Sequence, residues 1–399
     1  MRILQFTTSY PVSEADSTAP FVRSIALALA SLGHELHIIA PQREKGTASA
    51  LNAKGITVHW VRYAPLRGLN VIGHGRSLKN DMRLGWATYV AFPFFAVASL
   101  IKAAQIVRRW KPEIVHSNWV LPGGLLGALV SGFAGVPHVV SLHGSDIFIA
   151  RSRGAYRFMA GWVLRNAQRV IASSPYLAEQ AIALGAGPER AHFLPYGVDV
   201  SVFHESDAGH PLENRRIVLA VGRLVEKKGF RLLVEHAGSF LATHPQAELW
   251  IAGEGDDRAT LEATISRRPA EIAGRIKLLG RIDWSSMPML LSLASIFVMP
   301  SIRDSAGNED GLPTVILEAM ASGKAVVATD IGGASSVIKN GRTGVIVPAG
   351  DGTELARAIG ALLSDPAGTA QMGGAAAIEV KSRYTWDAYA RSLEQFYSN

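Results

Sequence analysis

Apolar runs of strand length, each followed by a helical pattern, recur along the whole chain. In the first half they are ILQFTT, ELHIIAP, ITVHWVRY, EIVHSN, HVVSLHG and RVIASS, and helical stretches such as Phe21 to Leu32, closed by Gly33, lie between most of them. Strands with little polar alternation are covered on both faces, and helices between them supply the cover, so the pattern calls for parallel sheets. A polar stretch at 204–216, HESDAGHPLENRR, interrupts the pattern, which then restarts with IVLAVGRL, AELWIAGEG, IKLLGRI, IFVMPS, AVVATD and GVIVPAG. At 399 residues the chain exceeds one ordinary hydrophobic core, so two domains follow. The expectation is an α/β protein with parallel-sheet domains at 1–196 and 197–383 facing across a cleft, then a segment at 384–399. In open parallel sheets, ligands sit beyond the carboxyl ends of the strands, and the chemistry is sought there.

Composition narrows the partners. Cysteine is absent, which excludes disulfides, thiolate chemistry and cysteine-based zinc sites. The net charge of +7 suits anionic partners such as nucleotide diphosphates or acidic head groups. No basic run with interleaved aromatics suggests nucleic acid. The start, MRILQFTTSYP, reads as a buried strand without the long apolar stretch of a signal peptide. A cytoplasmic protein is expected.

One segment bears on membranes. Trp86 to Ile101 (WATYVAFPFFAVASLI) carries no charge, and Pro93 interrupts it. It falls short of the ~18–20 residues that cross a bilayer. Arg76, Lys79 and Arg83 precede it, and Lys102, Arg108 and Arg109 follow. It fits a buried helix of the first domain, or a helix lying peripherally on an anionic membrane surface.

Four features of the second half fall at strand ends. In VGRLVEKKGF, residues 221–230, Arg223 and Lys228 can grip a diphosphate, Arg with a planar fork and Lys as a point charge. In DGLPTVILEAMASGKAVV, residues 310–327, Pro313 suits the first turn of a helix running to about Ser322, where Gly323 stops it. The amides of Gly311 and Leu312 would stand free near that start, where the macrodipole favours anions. Asp310 and Glu318, eight residues apart across the helix start, can accept hydrogen bonds from two separate sugar rings. Glu318 lies within an apolar run, where an unpaired charge is costly, and this favours a ligand role. IAGEGDD (251–257) and LGRID (279–283) are strand ends whose glycines let flat groups approach the backbone.

These segments, in this order and at these distances, resemble the retaining glycosyltransferases of family 4. The first half agrees through APFVRSIALALASLGHELHIIAP, EIVHSNWVLPGGLLGALVSGFAGVPHVVSLHGSD and PYGVDVSVF. The similarity is greatest to enzymes of cell-envelope and exopolysaccharide assembly. The resemblance implies the GT-B fold of two Rossmann-like domains, with helix 384–399 returning to the first. It implies that Arg223 and Lys228 hold the donor diphosphate and that Glu318 bonds the ribose. Asp310, Gly311 and Leu312 would contact the donor sugar or its phosphate. Arg281 and Ile282 would line the base near Gly253 and Gly255. His143 would sit beside the reacting sugar, so the catalytic set is His143, Asp310, Arg223 and Lys228. The chain departs from the family at Asp310, where glutamate is usual with Glu309 just before it, and in SEADSTAPF, where Ala19 stands nearest the usual glycine.

The implied reaction is retaining transfer of a hexosyl group from a nucleoside-diphosphate sugar to an acceptor hydroxyl, in polysaccharide or glycolipid biosynthesis. The acceptor would be a saccharide, in one form carried on a polyprenol diphosphate. No cofactor is expected beyond the sugar nucleotide, and no metal, since the cations meet the leaving group's charge and no Asp-x-Asp or histidine cluster is present. Asp146 is the one carboxylate near His143. Two alternatives remain open: a nucleotide-sugar 2-epimerase of similar architecture, and a non-catalytic nucleotide-sugar-binding subunit.

Overall fold

The computed structural model describes the chain apart from residues 14–15, 17, 43–52, 65–69, 74–77, 81–82, 85, 145–146, 149, 151–153, 206–214 and 399. Arg76, Asp146, most of the polar stretch 204–216 and the side chains of Lys79 and Arg83 lie outside the described residues. The chain divides into two compact units, Met1–Pro195 with Trp386–Asn399, and Tyr196–Thr385.

The first unit carries β1 (Arg2–Phe6), β2 (Glu35–Pro41), β3 (Ile56–Val61), a hairpin of β4 (Leu78–Asn80) and β5 (Arg83–Leu84), then β6 (Ile114–Asn118), β7 (His138–Leu142), β8 (Arg169–Ala172) and β9 (Ala191–Phe193). Its main sheet has the order β3-β2-β1-β6-β7-β8-β9. All pairings in it are parallel, with Ile3 opposite both Leu36 and Ile114. The last strand, AHF, is too short and polar to stand out in the sequence. Ile3, Leu4, Ile38, Ile39, Val139 and Val140 are wholly buried, as two-sided cover requires.

The second unit repeats the plan with β10 (Arg216–Val221), β11 (Ala247–Ala252), β12 (Ile276–Gly280), β13 (Ile296–Met299), β14 (Ala325–Thr329) and β15 (Gly344–Val347), in the order β12-β11-β10-β13-β14-β15. This is the doubly wound order, in which the chain turns from one side of the sheet to the other between β10 and β13. The helices Phe230–Leu241 and Gly352–Ser364 bury Leu233, Val234, Phe240, Leu355 and Ile359 against one face.

The stretch at 86–101 is part of a helix from Trp86 to Trp110. One side of it, with Ala91, Phe95, Ala103 and Ile106, packs beside Leu4, Phe6 and Ile39 of the sheet. The other side is exposed, so the segment is not the fully buried helix its composition permits.

Helix Trp386–Ser398 is keyed into the first unit by polar contacts as well as apolar ones. Tyr397 Oη and His116 Nδ1 are hydrogen-bonded at 2.8 Å, and His116 Nε2 meets Ser141 Oγ at 2.8 Å. His138 Nε2 meets Ser117 Oγ at 2.9 Å. His116 and His138 are buried, and desolvation lowers each imidazole from 6.5 to about 3, with His116 also acting on His138. In the unfolded chain both protonate near 6.5, whereas in the fold both stay neutral. Their contribution to stability is therefore complete above 6.5 and is lost as pH falls toward 3. Each is expected to cost about 1 kcal/mol between pH 6.5 and 5.5. Amide exchange of residues 114–118 and 138–142 at the two pH values checks this: equal protection would show that neither histidine is held neutral.

Candidate active site

The switch point of the second unit, between the carboxyl ends of β10 and β13, brings together Lys228 and Asp310, two of the charged residues singled out in the sequence, while Arg223 and Glu318 lie on the segments that adjoin it. After β10 the chain makes a tight turn at Glu226–Lys228 and passes through Gly229, at φ 67°, into helix Phe230–Leu241. A Cβ on Gly229 would lie 1.9 Å from the Pro300 carbonyl oxygen, so only glycine lets this turn lie against the segment after β13. The Ile302 amide donates to the Lys227 carbonyl at 2.9 Å and stitches the two segments together. Glu226 accepts from the amide and hydroxyl of Ser305 at 3.0 and 2.8 Å.

The stitching brings Lys228 Nζ to 2.6 Å from Asp310 Oδ2 and Lys227 Nζ to 3.5 Å from Asp310 Oδ1. These side chains are only 10–12% exposed, so the pairs are poorly screened. Lys227 was not singled out in the sequence; its signal is its place in the same EKK turn. Glu309 is bonded to Arg303, which leaves Asp310 as the carboxylate facing the lysines. Asp304 fixes the intervening loop, accepting from the amides of Ala306 and Asn308 at 3.0 and 2.8 Å. Arg223 is exposed one residue beyond Gly222.

The helix after Asp310 runs from Thr314 to Ala321, and Pro313 is its cap at ψ 119° instead of lying in its first turn. No side chain caps this start, and among the described residues the amides of Gly311 and Leu312 donate no hydrogen bond. Glu318 is partly buried; desolvation raises its carboxyl to about 7, opposed by a hydrogen bond with the Thr314 hydroxyl. Beyond the neighbouring strands, Gly253 and Gly255 follow β11, and Arg281 and Ile282 follow β12, with Arg281 exposed.

The structure gives Gly253 a reason of its own. At φ 147°, a Cβ there would fall 1.8 Å from the Gly222 carbonyl oxygen, and on Gly255 one would fall 2.3 Å from that of Leu224. Both glycines are demanded by the protein's own backbone. A cavity of about 650 Å³ opens beside the same turn, lined by Glu226, Arg231, Glu235, Asp257 and Arg303 among others. Lys228, Asp310 and Glu318 do not line it, and its mixed charges do not suit a diphosphate.

His143 belongs to the first unit, where it follows β7. Its Nε2 is 3.0 Å from Asn118 Oδ1 at the end of β6, and its ring lies 4.7 Å from Phe21 and 4.8 Å from Trp119. Desolvation, and less strongly His116, lowers it to about 3, so it is neutral at ordinary pH. Trp119 takes φ 65°, a conformation uncommon for a bulky side chain. Asn118, Trp119 and Phe21 were not singled out in the sequence, because only the fold sets these strand ends and the first helix side by side. Ala19, at φ 49° and ψ 52°, adopts the left-handed conformation that glycine would take most easily.

Residues 18–197 match the Glycosyl transferase 4-like domain, and residues 203–379 match Glycosyl transferases group 1. Alpha-maltose-1-phosphate synthase of Mycolicibacterium smegmatis is 30% identical over 71% of this chain and 78% of its own length. The putative teichuronic acid biosynthesis glycosyltransferase TuaC of Bacillus subtilis is 29% identical over 84% of this chain and 83% of its own. Anabaena HepE, solved in complex with UDP, superposes at a TM-score of 0.75 with 21% identity, over 100% of both chains. Two doubly wound units of this kind are the GT-B architecture, and the matched domains make the chain a glycosyltransferase, an enzyme that transfers hexosyl groups. The chain belongs to family 4 of these enzymes, built from the 4-like and group 1 domains that use nucleotide sugars.

Proposed function

We propose that this enzyme moves a hexosyl group, with retention, from a nucleoside-diphosphate sugar to a saccharide hydroxyl, without a metal, in polysaccharide or glycolipid synthesis. The observation that carries this is the pairing of Lys228 with Asp310 at the switch point, beside an uncapped helix start. Charge grows on the leaving diphosphate as the glycosidic bond breaks. Arg223, Lys228 and the amides near Gly311 stabilise that charge more in the transition state than in the ground state. Lys227 adds a second buried cation to the same place. On binding, the diphosphate takes Lys228 over from Asp310, and Asp310 turns to the sugar hydroxyls together with Gly311 and Leu312. Glu318 takes the ribose; Arg281 and Ile282 flank the base.

In the role the family resemblance gives it, His143 would bring no competing positive charge to the reacting sugar, since it is held neutral with Asn118 on Nε2. The acceptor hydroxyl attacks from the face the diphosphate leaves and gives its proton to the departing phosphate oxygen. This accounts for retention without an enzyme nucleophile. UDP in HepE and teichuronic acid in the name of TuaC support a nucleotide donor and an envelope polysaccharide product. The enzyme works in the cytoplasm, peripherally at the inner face of the membrane, on a polyprenol-diphosphate-linked saccharide.

The test is nucleoside diphosphate release from a panel of sugar nucleotides, with and without saccharide acceptors, and with the anomeric configuration of the product read by NMR. Acceptor-dependent release with retention is expected. Conversion of the sugar without an acceptor would point to a 2-epimerase, and binding without turnover to a non-catalytic subunit. Excess EDTA is expected to leave the rate unchanged; loss of activity restored by magnesium or manganese would overturn the metal-free mechanism.

A further inference from the structure

We propose that the layer formed by helices Trp86–Trp110, Leu125–Ala134 and Ala155–Asn166 is a docking face for an anionic lipid bilayer. The inference rests on the peripheral placement proposed above and names its surface and lipid charge.

The first helix is long and apolar enough to cross a membrane, with a mean hydropathy of 1.8 over 18 residues, yet only 28% of that window is buried. The buried positions, Ala91, Phe95, Ser99, Ala103 and Ile106, recur at helical spacing along one side, packed on the sheet. The opposite side carries Trp86, Tyr89, Val90, Phe94, Val97 and Ile101, between 45% and 77% exposed. A helix with one side on a sheet core cannot be surrounded by acyl chains, so it lies in the interface instead of spanning it. Phe133 and Phe158 on the two neighbouring helices are 66% and 71% exposed, and the rings of Tyr89 and Tyr156 meet at 6.2 Å. Large apolar side chains left exposed in this number along one helix and its neighbours mark an interaction site.

Charge selects the occupant. None of the three helices contains an aspartate or glutamate, while Lys102, Arg108, Arg109, Arg157 and Arg165 all lie on them. A second copy docked face to face would set cations against cations. An anionic bilayer accepts both components: apolar side chains enter the acyl boundary and the cations stay at the head groups. Trp86 and Tyr89 are the amphipathic aromatics that favour this depth.

Flotation of the full chain with vesicles of phosphatidylcholine, alone or mixed with phosphatidylglycerol, tests the inference. Binding to the mixed vesicles at low salt and its weakening at high salt are expected. The double variant Arg108→Glu/Arg109→Glu is expected to bind at least about tenfold more weakly, since each cation at the surface is worth roughly fivefold. Phe94→Ser/Val97→Ser, changed only at exposed positions, is expected to keep its melting temperature and lose the salt-resistant part of the binding. Absence of flotation at low salt, or equal flotation of all three proteins, would overturn the inference. So would a dimer that dissociates in the Phe94→Ser/Val97→Ser variant while vesicles stay unbound, which would make the face an interface between copies. Transfer to a saccharide acceptor, offered both free in water and on a polyprenol diphosphate in the vesicles, separates the two proposals: transfer without flotation removes the docking face alone, and flotation without transfer to either acceptor removes the proposed reaction and leaves the face.

Discussion

Lys228→Ala is expected to lower turnover by roughly 10²–10³-fold, the size of effect found when one charge-assisted contact to a developing anion is removed. Lys228 sits 2.6 Å from Asp310, with Lys227 3.5 Å from the same carboxylate. The fold is therefore expected to survive, because Asp310 keeps one buried cation when Lys228 is lost. Asp310→Asn supplies the complementary result. Without the carboxylate, Lys228 has no partner to give up, and nucleoside diphosphate is expected to bind several-fold tighter while turnover falls. Calorimetric titration of the diphosphate and initial rates on both purified variants read the two effects separately. Near-normal turnover in Lys228→Ala would remove the lysine from the mechanism.

A large loss of stability is expected from Gly253→Ala. The added methyl would stand 1.8 Å from the Gly222 carbonyl oxygen, at a φ of 147° that side chains rarely adopt. The atom it meets is backbone, held in place by the Gly222 amide donating to Ala252 at 3.0 Å and by the Gly253 amide donating to Gly280 at 2.8 Å. No flexible side chain can swing aside, so the sheet edge itself must move, at a cost of about 3 kcal/mol or more. Gly238→Ala is the control. It lies within helix Phe230–Leu241 with nothing within 4 Å of its would-be Cβ, and a gain of roughly 0.5–1 kcal/mol is expected there. Thermal melting of the two variants should move in opposite directions. A Gly253→Ala protein that melts with the wild type would show that the close backbone approach is not real.

Much of this was legible in the sequence for one physical reason. Strands buried on both faces must be apolar throughout, so IVLAV and VVAT announce themselves without a structure. The lysine turn and Asp310 could be tied to strand ends for the same reason. What stayed hidden depends on neighbours distant in sequence. AHF at 191–193 is a strand only because β8 offers an edge to it. Asn118 meets His143 only because β6 and β7 are adjacent, 25 residues apart in sequence. Glycine at 253 looked like room for a ligand, yet the occupant of that space is the carbonyl of Gly222. The helix at Trp86 was ambiguous because an apolar run does not say which side faces the sheet and which is left bare.

Helix Trp386–Ser398 makes the first unit discontinuous, and this sets an order on how the protein is born. Leu393 and Tyr397 are buried in that unit, Phe396 stacks on His192 at 4.6 Å, and the Tyr397 hydroxyl satisfies His116. When a ribosome has delivered residue 385, every residue of the second unit exists, but the first still lacks one of its covering helices. The half of the chain made first is thus the half completed last. Until then His116 and Ser141 lie without their lid, and the nascent first unit is the species that chaperones and proteases meet.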